Sequence, residues 1–208
     1  ASLALEPIEK NLYRGAAVGG RGGPRLFGGH VIAQALLAAY ETVQERPCHS
    51  LHGYFMRPGD PRIPILYEVD RARDGGSFTT RRVIAIQDGE QIFNLAASFQ
   101  VVETGRTHQA WTPDETAPAS ISDDPPPPES EAGRAAALYA RRPVEMHDNA
   151  PRAMNDSTPR PPNKSVWVRA RDPLSEELRL QHVALAYASD MNLLETSMRP
   201  HGATWATP

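Results

Sequence analysis

Residues 30–43 read HVIAQALLAAYETV, and their apolar side chains recur at the spacing of an α-helix. The apolar positions, among them Val31, Ala35 and Leu36, cover much of the helix circumference, which predicts burial on several sides. The many alanines keep the helix thin, so other backbone can approach it closely. A long buried helix is therefore the expected centre of the N-terminal part of the chain.

The hydrophobic period changes from that of a helix to that of strands on both sides of this segment. A short strand is predicted before the helix, at residues 11–15. Four strands are predicted after it, at residues 50–56, 63–70, 78–87 and 91–102. One strand, one apolar helix and an antiparallel meander together predict an α+β fold in which a curved sheet wraps around a long helix.

The last two strands of the meander carry the clearest pattern. Asp88-Gly89 separates them, and this pair tolerates the positive φ angles of a two-residue hairpin turn. The alternation in the last strand places five apolar residues on one face, which is the face expected to meet the helix: Phe93, Leu95, Ala97, Phe99 and Val101.

The C-terminal part begins in the same way as the N-terminal part. Strands are predicted at residues 144–146 and 165–171, and Asp172-Pro173 is typical of a helix start, with the helix expected to reach Ser197. No meander follows before Pro208, which indicates an internal duplication with an incomplete second copy. We therefore expect an N-terminal domain at 1–110, a Pro-rich linker at 111–143 with one short helix near 131–139, and the start of a second domain at 144–208.

The composition of the chain narrows the classes of function that are expected. The chain has 208 residues, a net charge of −3 and no long basic run, so nucleic-acid binding is not expected. No apolar stretch approaches the roughly 20 residues that span a bilayer. Cys48 is the single cysteine, which fits a reducing cytoplasm. The second helix lacks strands to cover it, so its apolar face is expected to rest on a partner chain, on the N-terminal domain or on solvent, and an exposed apolar face predicts self-association into a homo-oligomer.

Several long motifs resemble those of the acyl-CoA thioesterase II (TesB-type) family. They are LFGGHVIAQAL at 26–36, HSLHGYFMRPGD at 49–60, RDGGSF at 73–78, AASFQ at 96–100, LAYASD at 185–190 and RPHG at 199–202. The resemblance implies a tandem double hotdog fold whose second copy is incomplete in this chain. It also implies hydrolysis of fatty acyl-CoA to free fatty acid and CoA, with acyl-CoA as the substrate, no cofactor and no metal.

The resemblance also implies a catalytic role for Asp190. In this family an Asp, a Thr or Ser, and a Gln of the second hotdog orient the attacking water, and Asp190 matches the Asp. The hydroxyl and the Gln are expected beyond Pro208. By pattern alone Asp190 lies on a mostly apolar helix face, where a carboxylate is costly unless it is paired. An alternative is that Asp190 caps a break in the helix or turns outward.

Two further positions are candidates for substrate binding. Gly29 and His30 follow one another at a predicted helix start, where free backbone N–H groups can hold a carbonyl oxygen or a phosphate. The alternative for both is an ordinary glycine-permitted turn. Arg81 and Arg82 either contact CoA phosphates or form one salt-bridged and one solvated strand residue.

Two other functions stay open beside thioester hydrolysis. One is a non-catalytic remnant that binds acyl-CoA, because two of the three expected site residues are not in this chain. The other is a hotdog hydratase or dehydratase, which would need an Asp and a His close together near a helix. His182 and His201 flank Asp190 in sequence, but neither lies three or four residues from it.

Overall fold

The computed structural model describes residues 3–19, 25–110, 143–149, 152 and 156–204. It divides the chain into two compact units. The first contains Ala1–Gly105 together with Leu174–Asp190, and the second contains Arg106–Pro173 together with Met191–Pro208. The predicted linker and its short helix lie almost entirely outside the described residues, and the domain boundaries at 110 and 143 remain predictions.

The first unit is built on a six-stranded antiparallel sheet. Its strands are β1 (Leu5–Glu9), β2 (Leu12–Gly15), β3 (Cys48–Phe55), β4 (Ile65–Asp74), β5 (Phe78–Gln87) and β6 (Glu90–Gln100). Their order across the sheet is β1-β2-β4-β5-β6-β3. The five predicted strands are confirmed with ends that differ by a few residues, whereas β1 was not predicted.

The β5–β6 hairpin has the turn that its sequence predicts. Asp88 and Gly89 both have positive φ angles, 49° and 76°, and the strands pair directly on either side of them. The predicted inner face of β6 is buried from Phe93 to Phe99. Val101 is the exception, because it lies beyond the end of the strand and is 41% exposed.

Helix α1 (Gly28–Tyr40) lies buried against this sheet. It starts two residues before and ends three residues before the predicted range. Val31, Ala35 and Leu36 are all buried, so the predicted central helix is confirmed. The burial comes from both sides, because the sheet contacts one face of α1 and a second helix contacts another.

That second helix is α2 (Leu178–Ser189), and it belongs to the first unit. The prediction of one continuous helix from Asp172 to Ser197 is wrong. The helix begins six residues later and ends at Ser189 with Asp190 as its C-terminal cap, and Asn192 then adopts a left-handed conformation with φ of 67°. A residue in that conformation cannot continue a right-handed helix.

The second unit contains a two-stranded antiparallel sheet and a short helix among its described residues. The strands are β7 (Val144–Asp148) and β8 (Val166–Ala170), which confirms both predicted strands. Helix α3 (Leu193–Met198) continues into a single 3-10 turn at Arg199–His201. Within the described ranges, no helix of either unit has the length and apolarity to cross a membrane.

Candidate active site

Asp190 lies at the C-terminal end of α2, and its side chain reaches the N-terminal end of α1. Its Oδ2 atom accepts a hydrogen bond of 2.9 Å from the backbone N–H of Gly29, a residue 161 positions earlier in the chain. The N-terminal turn of a helix has N–H groups without intrahelical partners and a partial positive charge, both of which stabilise a carboxylate. The half-buried Asp190 is therefore held in place by a hydrogen bond at a helix start that favours a carboxylate.

Two glycines allow the helices to meet this closely. A Cβ atom at Gly29 would lie 2.2 Å from the carbonyl oxygen of Tyr187, well inside any real contact. A Cβ atom at Gly28 would lie 2.7 Å from Oδ2 of Asp190 and 2.7 Å from the ring of Phe55. Any other residue at either position would separate the carboxylate from the helix start.

An aromatic contact supports the same junction. The ring of Phe27, which precedes α1, packs edge-on against the ring of Tyr187 with 5.0 Å between centroids. Tyr187 is buried and lies three residues before Asp190. Edge-to-face packing of this kind stabilises the two rings beyond their burial alone. It therefore helps to hold the C-terminal end of α2, next to Asp190, against the start of α1.

A cavity of about 380 Å³ opens beside the carboxylate. Asp190 and Gly28 contribute to its wall, and the rest of the wall is largely apolar, with Val31, Phe55 and Ile92 among its residues. A volume of this size is in the range of small-molecule sites, which are typically apolar with a few placed polar groups. The arrangement can hold an apolar group next to a fixed carboxylate.

The imidazole of His30 lies away from the cavity that the carboxylate of Asp190 lines. The imidazole is fully buried, its Nε2 lies 2.8 Å from the carbonyl oxygen of Ala16, and it does not line the cavity. Burial lowers the pKa of His30, so the ring is neutral at pH 7 and Nε2–H donates to Ala16. Gly29 uses its N–H to hold Asp190. A substrate contact by His30 remains a prediction, and its burial argues against it.

The two arginines of β5 have separate environments. Arg81 is 1% exposed and donates hydrogen bonds to Thr42 and to Asp74, at 2.7 and 2.6 Å, whereas Arg82 is exposed. The bonds of Arg81 are all made within the fold, which fits the salt-bridged alternative rather than contact with a CoA phosphate.

Sequence reasoning missed Gly28 and Phe55 as residues of the cavity. Gly28 had a visible signal, because a glycine pair before a helix permits close approach of another chain segment. Phe55 had none, because its position in the wall depends on how the end of β3 lies against the start of α1.

A long helix wrapped by an antiparallel sheet, with a carboxylate held at the helix start beside an apolar cavity, is the arrangement of a hotdog-fold protein with a candidate active site. The sequence model of the acyl-CoA thioesterase N-terminal domain matches residues 19–100, and that of acyl-CoA thioesterase matches residues 141–208. The chain belongs to the acyl-CoA thioesterase II (TesB-type) family.

Relatives of known name agree with this assignment. Acyl-coenzyme A thioesterase 8 of Rattus norvegicus is 38% identical over 96% of this chain and 67% of its own length. Acyl-CoA thioesterase 2 of Haemophilus influenzae is 34% identical over 96% of this chain and 71% of its own length.

Solved structures show the same fold. The acyl-CoA thioesterase II TesB2 of Mycobacterium marinum is 39% identical with a TM-score of 0.70, over 96% of this chain and 69% of that one. The tesB protein of Mycobacterium avium subs paratuberculosis is 28% identical with a TM-score of 0.75, over 96% and 71%. The predicted family and hotdog fold are thus confirmed.

Proposed function

We propose that this protein hydrolyses the thioester of fatty acyl-CoA to free fatty acid and CoA, with a water molecule oriented by Asp190. The observation that carries the proposal is the carboxylate of Asp190, fixed by the Gly29 N–H beside an apolar cavity. Membership of a family whose relatives are named acyl-CoA thioesterases supports the reaction class.

The chemistry needs a base for water and a donor for the carbonyl oxygen. Asp190 accepts a proton from water, whose oxygen attacks the thioester carbon. The bond from carbon to sulfur then breaks, the thiolate of CoA leaves, and the proton passes to it. The backbone N–H of Gly28 has no partner within α1, because it is the first residue of the helix, and it lines the same cavity. Gly28 is therefore the proposed donor to the developing oxyanion.

The cavity wall supports an aliphatic acyl group. Val31, Ile92 and Phe93 surround the space with apolar side chains that bind methylene groups by excluding water. The polar side chains of the wall, Arg25, Arg57 and Asp190, are outnumbered by apolar ones. Fatty acyl chains are accordingly the proposed substrate class. Self-association and a cytoplasmic location remain predictions of the sequence.

The test compares the wild type with Asp190→Asn, and with Asp88→Asn as the matched control. Asp88 is exposed in the β5–β6 turn, where Asn adopts the same positive φ. We expect Asp190→Asn to fold normally and to lose on the order of 10²–10⁴ in kcat, measured as thiol released from acyl-CoA, whereas Asp88→Asn keeps wild-type turnover.

Three outcomes would overturn the proposal. Full turnover in Asp190→Asn would mean that another group activates the water. Binding of acyl-CoA by the wild type with no thiol released would identify a non-catalytic binding protein. A change in enoyl absorbance without thiol release would identify a hydratase or dehydratase.

A further inference from the structure

A second polar contact joins α1 and α2, at the end far from Asp190. The hydroxyl of Tyr40, the last residue of α1, lies 2.8 Å from Nδ1 of His182 on α2. The same hydroxyl accepts a hydrogen bond of 2.8 Å from the backbone N–H of Cys48, the first residue of β3. One hydroxyl thus links two helices and a strand.

The direction of these bonds follows from the inventory of donors. A tyrosine hydroxyl has one proton, and the Cys48 N–H already uses its oxygen as an acceptor. Nδ1 of His182 lies within hydrogen-bonding distance of this hydroxyl, so we assign the Tyr40 proton to that bond, with Nδ1 unprotonated. Burial lowers the pKa of His182, which keeps the ring neutral at pH 7 and suits it to accept.

Tyr40 is itself held in place. Its ring is buried and packs edge-on against Phe99 of β6, with 4.9 Å between centroids. The position of the hydroxyl that donates to His182 of α2 is therefore set by the sheet. Arg179 and Glu41 also approach each other at this end, at 3.5 Å, but both side chains are exposed and the pair contributes little.

The two junctions are separated along α2, with His182 in the second turn of the helix and Asp190 directly after its last residue. His182 precedes Asp190 by eight residues, which is about 12 Å along a helix with a rise of 1.5 Å per residue. With one directional contact, α2 could still tilt and rotate about its axis relative to α1. A second directional contact at a separate position removes this freedom. The apolar contacts between α1 and α2 favour burial but are non-directional.

We propose that His182 is a positioning residue for Asp190, acting through its hydrogen bond from Tyr40. This bond fixes the rotation and axial register of α2, so that the carboxylate meets the Gly29 N–H at the wall of the cavity. The proposal rests on the proposed role of Asp190 in hydrolysis. Neither Tyr40 nor His182 lines the cavity, so both act at a distance from the substrate.

The test uses His182→Leu and Tyr40→Phe, which remove the bond, and His182→Asn, whose side-chain oxygen can replace Nδ1 as acceptor. Leu185→Ala is the control on the same helix, because Leu185 is 68% exposed. The first readout is the amide proton shift of Gly29, which reports its hydrogen bond to Asp190. The second is kcat against KM for acyl-CoA hydrolysis.

We expect His182→Leu and Tyr40→Phe to shift the Gly29 amide upfield and to lower kcat on the order of tenfold to a hundredfold. KM stays near the wild-type value, and His182→Asn restores both readouts. An unchanged Gly29 amide, failure of His182→Asn to rescue, or a change in KM alone would overturn the proposal. If Asp190→Asn keeps full turnover, the proposed function fails, whereas the Gly29 amide still decides whether His182 positions α2.

Discussion

Replacement of Gly29 by Ala tests the contact on which the site depends. The new Cβ atom would start 2.2 Å from the carbonyl oxygen of Tyr187, and real Cβ atoms keep at least 3.0 Å. Helix α2 must therefore move away from α1 by at least about 0.8 Å, because a backbone carbonyl, unlike a flexible side chain, has no other rotamer that avoids the contact. The same movement would stretch the 2.9 Å bond between Gly29 and Asp190 beyond hydrogen-bonding distance.

Two effects follow from this displacement. Overpacking of this kind lowers the free energy of unfolding by about 1–3 kcal/mol. Displacement of a catalytic group by about 1 Å can lower turnover on the order of 10²-fold. The assays are chemical denaturation and release of thiol from acyl-CoA.

Gly76→Ala is the matched control for this substitution. Gly76 has no atom within 4 Å of an added Cβ, so its replacement should leave both quantities near wild type. Wild-type stability in Gly29→Ala would refute the reasoning, because it would show that the two helices do not meet as closely as the structure has them.

Two other predictions concern the buried side chains of Arg81 and His30. Arg81→Met should lower the free energy of unfolding in urea by about 2–3 kcal/mol, because buried acceptors including the Thr42 carbonyl lose their donor; Arg82→Met should change it by less than about 0.5 kcal/mol. Burial lowers the pKa of His30 below 6.5, so the folded state binds this proton more weakly than the unfolded state does. The stability that the neutral ring provides is therefore fully present above pH 6.5 and is lost as the pH falls below that value. Thermal unfolding from pH 7 to pH 5 should therefore show a falling midpoint, and His30→Gln should flatten this dependence; an equal slope would contradict it.

Local signals predicted the first unit well. The period-two alternation of β6 and the Asp88-Gly89 turn act between neighbouring residues, so they are visible in sequence. The apolar circumference of α1 likewise predicted burial on several sides. By contrast, the two aliphatic residues of β1, Leu5 and Ile8, lie three positions apart and the strand is largely exposed, so there is no alternation for sequence reasoning to detect.

The second helix shows where local signals fail. Asp172-Pro173 is a favourable helix start, yet α2 begins only at Leu178. The helix also ends at Ser189, although the apolar spacing continues through Leu193 and Leu194. The position of Asp190 depends on its bond to Gly29, and no local pattern encodes a contact between residues 161 positions apart.

The distance in sequence between these two residues has a consequence for biosynthesis. The sheet and α1 are translated first, and α2 joins their unit only after residues 106–173 have left the ribosome. Until then the nascent chain presents the face of α1 that α2 later covers, a bare apolar surface suited to a chaperone. The proposed catalytic carboxylate is absent over the same interval. A partly synthesised chain of this kind cannot consume acyl-CoA through Asp190, whatever the state of its sheet.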